Sequence, residues 1–238
     1  MAGPLICFLA CSLAVEAPPP LLQVVCSRAT GPIAVDGKPD DAAWGDALRV
    51  TEFRLWKTYG KPTESTAVRF CYDDRFLYAL FECRDPDIFT LYAERDDRLW
   101  ESDCVELFFL PDTQRAIYYE FEFAPNNAVF DARMVNTGSG GFRRWAAWNS
   151  ELQAAATIHG TLNDWTDRDE SYCVEIAIPV SAFEEAIGAR PLEGQTWKFA
   201  AVRADLSVTL TAEERSSTAN CPDGDIHQKD GYFTMTFR

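Results

Sequence analysis

The chain has 238 residues and a formal net charge of -15, with 37 Asp and Glu against 22 Lys and Arg. This balance offers no basic stripe to release phosphate counterions and argues against nucleic-acid binding. Hydrophobic residues make up 47% of the chain, enough for one sizeable core, and an all-β domain reaches this length as a single unit.

Residues 1–17 are apolar and read as the hydrophobic region of a secretory signal, although no Lys or Arg precedes them. Phe8-Leu-Ala-Cys11 resembles a lipoprotein cleavage box. The run is too short for a comfortable membrane span, so no transmembrane segment is expected. Pro18-Pro19-Pro20 closes this leader; residues 1–20 are assigned to it and residues 26–238 to one domain. Export is the expectation: secreted or periplasmic, with a lipid-anchored outer-surface form as a variant. Eight cysteines are present, none in C-x-x-C spacing, which argues against zinc. Cys71, Cys83, Cys104 and Cys173 fall inside strand patterns and read as small buried hydrophobes. Cys26 and Cys221 are expected in loops, where export would pair them.

In chain order, Ile33-Ala-Val35 reads as a short strand entering an Asp36-Gly37 turn, after which Trp44 drops onto the core. Residues 66–72 and 76–83 form a hairpin around Asp73-Asp74-Arg75. Residues 117–124 set Tyr119, Phe121 and Phe123 against Tyr118, Glu120 and Glu122, and Val129-Phe-Asp131 follows a turn. A glycine-rich loop over 134–150 carries Arg143, Arg144, Trp145 and Trp148, and long loops in compact domains are often functional. Strands are expected at 152–158, 172–178, 197–206 and 232–237. Ser181-Ala-Phe-Glu184 is a capping box for a short helix ending near Gly188. Roughly ten short strands with turn punctuation and one short helix give an all-β, antiparallel β-sandwich of jelly-roll-like form.

Residues 94–110 carry the chemistry. Their polar half ends in an indole, Trp100. Their strand half alternates Val105, Leu107 and Phe109 with Cys104, Glu106 and Phe108. Glu106 thus projects among apolar neighbours, and a buried acid needs a partner. Two readings are open: a core strand whose glutamate pairs with an arginine, or a sugar site. In a sugar site an aromatic face takes C–H surface and charged groups take hydroxyls. Arg203, inward among Trp197 and Phe199, is expected to face Glu106 as a ligand-facing or structural pair. Asp85, Asp87, Asp96, Asp97 and Asp103 cluster in sequence and could give calcium its six to eight oxygens, though a solvated acidic face is the commoner explanation.

The order of segments resembles family 9 carbohydrate-binding modules. The resemblance rests on Ile33-Ala-Val-Asp-Gly-Lys-Pro-Asp-Asp-Ala-Ala-Trp44, then Val68-Arg-Phe-Cys-Tyr-Asp-Asp-Arg-Phe-Leu-Tyr78, then Asp103-Cys-Val-Glu-Leu-Phe-Phe109. Tyr118-Tyr-Glu-Phe-Glu-Phe123, Gly160-Thr-Leu-Asn-Asp164, Cys173-Val-Glu-Ile-Ala-Ile-Pro179 and His227 before Gly231-Tyr-Phe233 continue it. It implies a β-sandwich that binds glycans without cleaving them, often with calcium. Trp100 matches the first of two tryptophans that sandwich a glycan end, and Glu106 matches a glutamate bonding sugar hydroxyls. No tryptophan stands in the loop before the last strand, where the second should be; Trp145 or Trp148 is the replacement considered. The family's sugar-binding arginine aligns with Glu122, by itself more often a solvated strand residue, and an asparagine with Ala124.

The expectation is therefore an exported, non-catalytic glycan-binding domain with an aromatic platform and charged groups, stabilised by calcium. The oligomeric state is left open. A glycoside hydrolase using paired carboxylates such as Asp103, Glu106 and Glu122 is one alternative. A haem-binding sandwich is another, though two histidines and the methionines Met134 and Met235 are a thin ligand supply.

Overall fold

A computed structural model describes residues 16–115, 117–134, 147–208, 210 and 212–238. Among these, thirteen strands form two sheets. In chain order they are β1 (Gln23–Cys26), β2 (Leu48–Val50), β3 (Arg54–Leu55), β4 (Thr66–Tyr72), β5 (Phe76–Arg84), β6 (Cys104–Leu110) and β7 (Tyr118–Phe123). Then follow β8 (Val129–Met134), β9 (Gln153–His159), β10 (Ser171–Pro179), β11 (Thr196–Asp205), β12 (Glu214–Ser217) and β13 (Phe233–Phe237).

The larger sheet runs β1-β13-β11-β6-β7-β8, with β12 on the far half of β11 and β3 outside β12; the smaller runs β2-β4-β5-β10-β9. Every pairing is antiparallel except β1 with β13. The expected antiparallel β-sandwich is the fold. Strand alternation decides which side chains fill it. Val105, Leu107, Phe109, Tyr119, Phe121, Phe123, Phe199 and Ala201 meet Val68, Phe70, Phe81, Val174 and Ile176 in one core between the sheets.

The larger sheet is buried on its outer face too. All seven residues of β6 and all six of β7 are buried. Phe108, Leu110, Tyr118, Ala200 and Val202 pack on that face beneath Ala219, Cys221, Ile226 and Tyr232, with Trp56 against them. Leu99, Cys104, Ala124 and Phe130 extend the packing toward one end. A roof of connecting segments therefore covers the outer face, and polar side chains on it lie in low dielectric.

Several local expectations change. Ile33 to Val35 form no strand, whereas β1, β2, β3 and β12 were not anticipated. Trp44 sits in a one-turn helix, α1 (Ala43–Asp46), and is buried. Its Nε1 donates to Glu175 Oε1 at 2.8 Å, while Asp36 N and Gly37 N donate to Glu175 Oε2 at 2.8 and 3.0 Å. One buried carboxylate thus fixes the turn and the indole that follows it. The short helix is a 3-10 turn, Val180–Phe183, continuing into α2 (Glu184–Ile187) without a side-chain cap bond. Gly188 ends it at φ 65°, a conformation that favours glycine. Cys26 packs between the sheets and Cys221 under the roof on the other side of the larger sheet, so the expected disulfide between them does not form. Both thiols are free. Among the described residues no helix is long and apolar enough to cross a membrane.

Candidate functional site

The outer face of the larger sheet gathers Trp100, Glu106 and Glu122 of the expected carbohydrate residues. Trp100 lies in a 3-10 turn, Leu99–Glu101, just before β6. Its ring is half-buried and meets Phe130 edge-on, with centroids 5.9 Å apart. Glu106 of β6 stands opposite Glu122 of β7 and next to Val202 of β11. Glu120 shares the outer face of β7 with Glu122. One carboxylate oxygen from each of Glu106, Glu120 and Glu122 lies within 4.8 Å of the others. Glu122, expected on a solvated face, is 1% exposed because the roof covers it.

The electrostatics follow from burial. Three carboxyls crowded in low dielectric favour their neutral forms, through desolvation and through mutual repulsion. Burial pushes Glu106 up to about 7 despite the nearby Arg215, and Glu120 up to about 8. Glu122 is raised well above the usual carboxylate range, first by burial and then by its two neighbours. Glu120 and Glu122 share a hydrogen bond, which requires a proton on one of them, and the Trp100 N–H also donates to Glu122. Glu106 Oε1 lies 3.7 Å from the Cys104 thiol sulfur, which donates to it.

Two residues missed in the sequence, Trp56 and Arg215, complete this face. Trp56, on the connection after β3, supplies a second indole, from a different segment than the resemblance suggested. Arg215 of β12 stands between the two tryptophans. Its guanidinium carbon is 5.7 Å from the Trp56 ring centroid, and its Nη2 donates to the Trp100 carbonyl at 2.6 Å. β3 pairs with β12, and the backbone N–H of Trp56 donates to the Arg215 carbonyl at 2.9 Å, which holds the pair together. The Tyr118 hydroxyl lies 3.0 Å from His227 Nδ1, and burial lowers the His227 pKa, keeping the ring neutral. Alternation alone put Glu106, Glu120 and Glu122 on one side of their strands. Nothing local in the sequence linked Trp56 or Arg215 to them, because that contact depends on β12 and β3 docking beside β11.

Arg203 is not part of this face. Its register partner is Val105, an inward residue, so it points between the sheets, away from Glu106. There its Nη2 is 2.9 Å from Asp85 Oδ2 and 2.8 Å from Asp205 Oδ2. Trp148 also lies elsewhere, against Tyr119 and Phe121 at the margin of the inner core. Trp145 falls outside the described residues.

Of the five aspartates expected around calcium, Asp85 and Asp103 do come together, joined by Asp205. Asp87 stands beside them but accepts the Val208 N–H at 2.7 Å. Asp96 pairs with Arg95, and Asp97 accepts the Glu94 N–H. Most of the cluster's oxygens are already used, with Asp205 Oδ1 the exception. Asp103 accepts N–H groups from Leu206 at 2.6 Å and Phe89 at 2.7 Å, and Asp85 Oδ1 accepts that of Asp87 at 3.0 Å. With a guanidinium between Asp85 and Asp205, this group does not offer calcium the six to eight free oxygens it needs. It is a clamp that ties the β5–β6 and β11–β12 connections together at one end of the sandwich.

A candidate carbohydrate-binding protein from Bacteroides uniformis superposes with a TM-score of 0.69 at 17% identity, over 92% of this chain and 100% of that one. A family 9 carbohydrate-binding module from Caldicellulosiruptor kristjanssonii does so with a TM-score of 0.62 at 17% identity in its complexes with glucose and with cellotriose. It covers 91% of this chain and 95% or 93% of the module. An extracellular protein of Arthroderma benhamiae is 30% identical over 79 residues, and the match spans only 36% of that relative. The sequence model described as carbohydrate family 9 binding domain-like matches residues 35–225. With that match across most of its length, the chain belongs to the carbohydrate family 9 binding domain-like family.

Proposed function

We propose that this protein is a non-catalytic glycan-binding domain acting outside the cell, and that its ligand docks at the margin of the roof over the larger sheet, where Trp56 and Trp100 are half-buried. The observation that carries this reading is the pairing of Trp56 and Trp100 about Arg215. Indoles offer flat apolar surface to the C–H face of a pyranose, and a guanidinium between them offers fixed donors to its hydroxyls. Glu106 is the acidic floor beneath, in contact with the same arginine's field. Family membership supports carbohydrate binding as the general activity. The extracellular relative from Arthroderma supports export.

A hydrolase reading has less support. The carboxyls nearest one another, those of Glu106, Glu120 and Glu122, are 1–6% exposed, whereas glycoside hydrolysis needs two acids facing an open cleft that admits water. Asp103, offered earlier as a third catalytic acid, belongs to the clamp at the sandwich end. For haem, Met235 is fully buried in the core and cannot serve as an axial ligand without unfolding it.

The Caldicellulosiruptor complexes make glucose and cello-oligosaccharides the first ligands to test. Affinity electrophoresis and a glycan array on the wild-type chain are expected to show binding that is lost in both Trp56→Ala and Trp100→Ala. Retention of all binding in both variants would remove the proposed face.

A further inference from the structure

We propose that the glycan site continues past Trp100 into a groove walled by Trp165, so that the protein takes a chain of several sugar units rather than a single terminal sugar. This rests on the glycan-binding reading above and names the class of ligand it serves.

Trp165 lies in the turn between β9 and β10 and is 70% exposed. Its ring adds little to the core, yet the turn beneath it is tightly held. Asn163, at φ 62°, donates its backbone N–H to the Ile88 carbonyl at 2.9 Å. The Asn163 side chain accepts the Thr90 N–H at 2.8 Å and donates to the Thr90 carbonyl at 3.1 Å. On either side of the indole, Asp164 Oδ1 accepts the Thr166 N–H at 3.0 Å. A ring held ready in this way is ordered before any ligand arrives, which lowers the entropic cost of binding.

Beside it runs a groove of about 350 Å³, lined by Trp165, Phe89, Leu206, Val208, Leu210 and Glu213. Val208 is 68% exposed there, so the apolar surface is contiguous rather than scattered. Small-ligand sites have this size and this mixture of apolar walls with a few polar groups. The indole and aliphatic walls suit the C–H faces of a pyranose, and the Glu213 carboxylate suits its hydroxyls.

The occupant follows from what the groove adjoins. The backbone N–H groups of Phe89 and Leu206, in its walls, donate to Asp103 at 2.7 and 2.6 Å. Asp103 comes directly after the turn and Ser102 that carry the chain from Trp100 into β6. Glu213 pairs with Arg215, whose guanidinium bonds to the Trp100 carbonyl and lies over the Trp56 ring. The groove and the indole pair are thus tied to one turn from two directions. Further units of a glycan held at Trp56 and Trp100 are the ligand this continuity favours, and the aspartate clamp keeps the groove walls aligned with Trp100.

The test is calorimetric titration of the full chain with glucose, xylose and mannose and with the β-1,4-linked oligosaccharides of each. Wild type is expected to bind an oligosaccharide more tightly than its monosaccharide. In Trp165→Ala that gain is expected to shrink about tenfold or more, with the melting temperature unmoved, whereas Trp56→Ala weakens every ligand. Trp165→Phe is expected to restore part of the gain. An undiminished gain in Trp165→Ala, with wild type binding, overturns this inference and leaves the Trp56–Trp100 site standing. Wild type that binds none of these sugars overturns both. Sedimentation that shows wild type dimeric and Trp165→Ala monomeric makes the groove an interface between copies of the chain and overturns the inference as well.

Discussion

At the scale of single residues, the tryptophans divide by burial. Trp44 is 2% exposed and bonded to Glu175, whereas Trp100 is half-buried on a short turn. Trp44→Ala is expected to cost about 3–5 kcal/mol of stability, as large-to-small changes in cores do. Trp100→Ala is expected to leave the melting temperature near that of wild type while glycan affinity falls more than about tenfold, the loss of a central aromatic anchor. Thermal melts beside affinity electrophoresis separate the two, and a collapse in the melting temperature of Trp100→Ala would show that ring to be structural. Arg203 is a different case. It is fully buried, and it is the guanidinium that pairs with both Asp85 and Asp205. Arg203→Met leaves those acids without a cation, and breaking a buried pair from one side typically costs about 3–5 kcal/mol. Urea denaturation is expected to show that loss, with part of it recovered in Arg203→Met/Asp85→Asn.

At the scale of elements, the roof matters most. The connection from β12 to β13 covers Phe108 and Tyr118 through Ile226 and Tyr232. It is cinched where Asn220 N donates to the Gly231 carbonyl at 3.0 Å. A Cβ at Gly231 would lie 2.2 Å from the Asn220 carbonyl oxygen, and a backbone atom in a short hydrogen-bonded turn cannot move aside cheaply. Gly231→Ala is therefore expected to cost about 1–3 kcal/mol, as overpacking does. The roof should loosen before the sheets. Hydrogen exchange is expected to quicken at residues 219–232 and to stay slow in β4, β5 and β10; uniform quickening through both sheets would contradict this.

At the scale of the whole molecule, an excess of acid meets a fold that buries several acids. Asp85 shows the consequence with a sign. Its ordinary value is 3.8 and burial raises it to about 7, with the Arg203 guanidinium working against the rise and Asp205 adding to it. The folded state therefore holds the proton more tightly than the unfolded chain. This contribution to stability is fully present below about pH 4, shrinks as pH rises, and is gone above about pH 7. Melting temperature is expected to fall between about pH 4 and about pH 7, with a shallower slope in Asp85→Asn. A melting temperature that rises with pH over that window would show that Asp85 is an ordinary paired carboxylate.

Most of the sandwich was legible in the sequence because alternation is local. The two-residue period of Tyr118 to Phe123 and of Cys104 to Phe109 assigns each side chain to a face before any partner is known. It put Glu106 on the side of its strand opposite Val105, Leu107 and Phe109, and Glu122 opposite Tyr119, Phe121 and Phe123, and it put Arg203 with Trp197 and Phe199. Alternation does not say which faces of different strands coincide, so Arg203 was set against Glu106 when the register places Val105 beside it. The same limit hid the weak strands. β3 has two residues and β12 four, both stabilised by docking beside β11 rather than by any pattern of their own. Trp56 directly follows β3 and Arg215 lies in β12, so the second indole and the arginine between the pair were decided by tertiary contact alone. Burial of the three glutamates was decided there too. Their charges in isolation would favour solvent, and only the roof across the outer face encloses them.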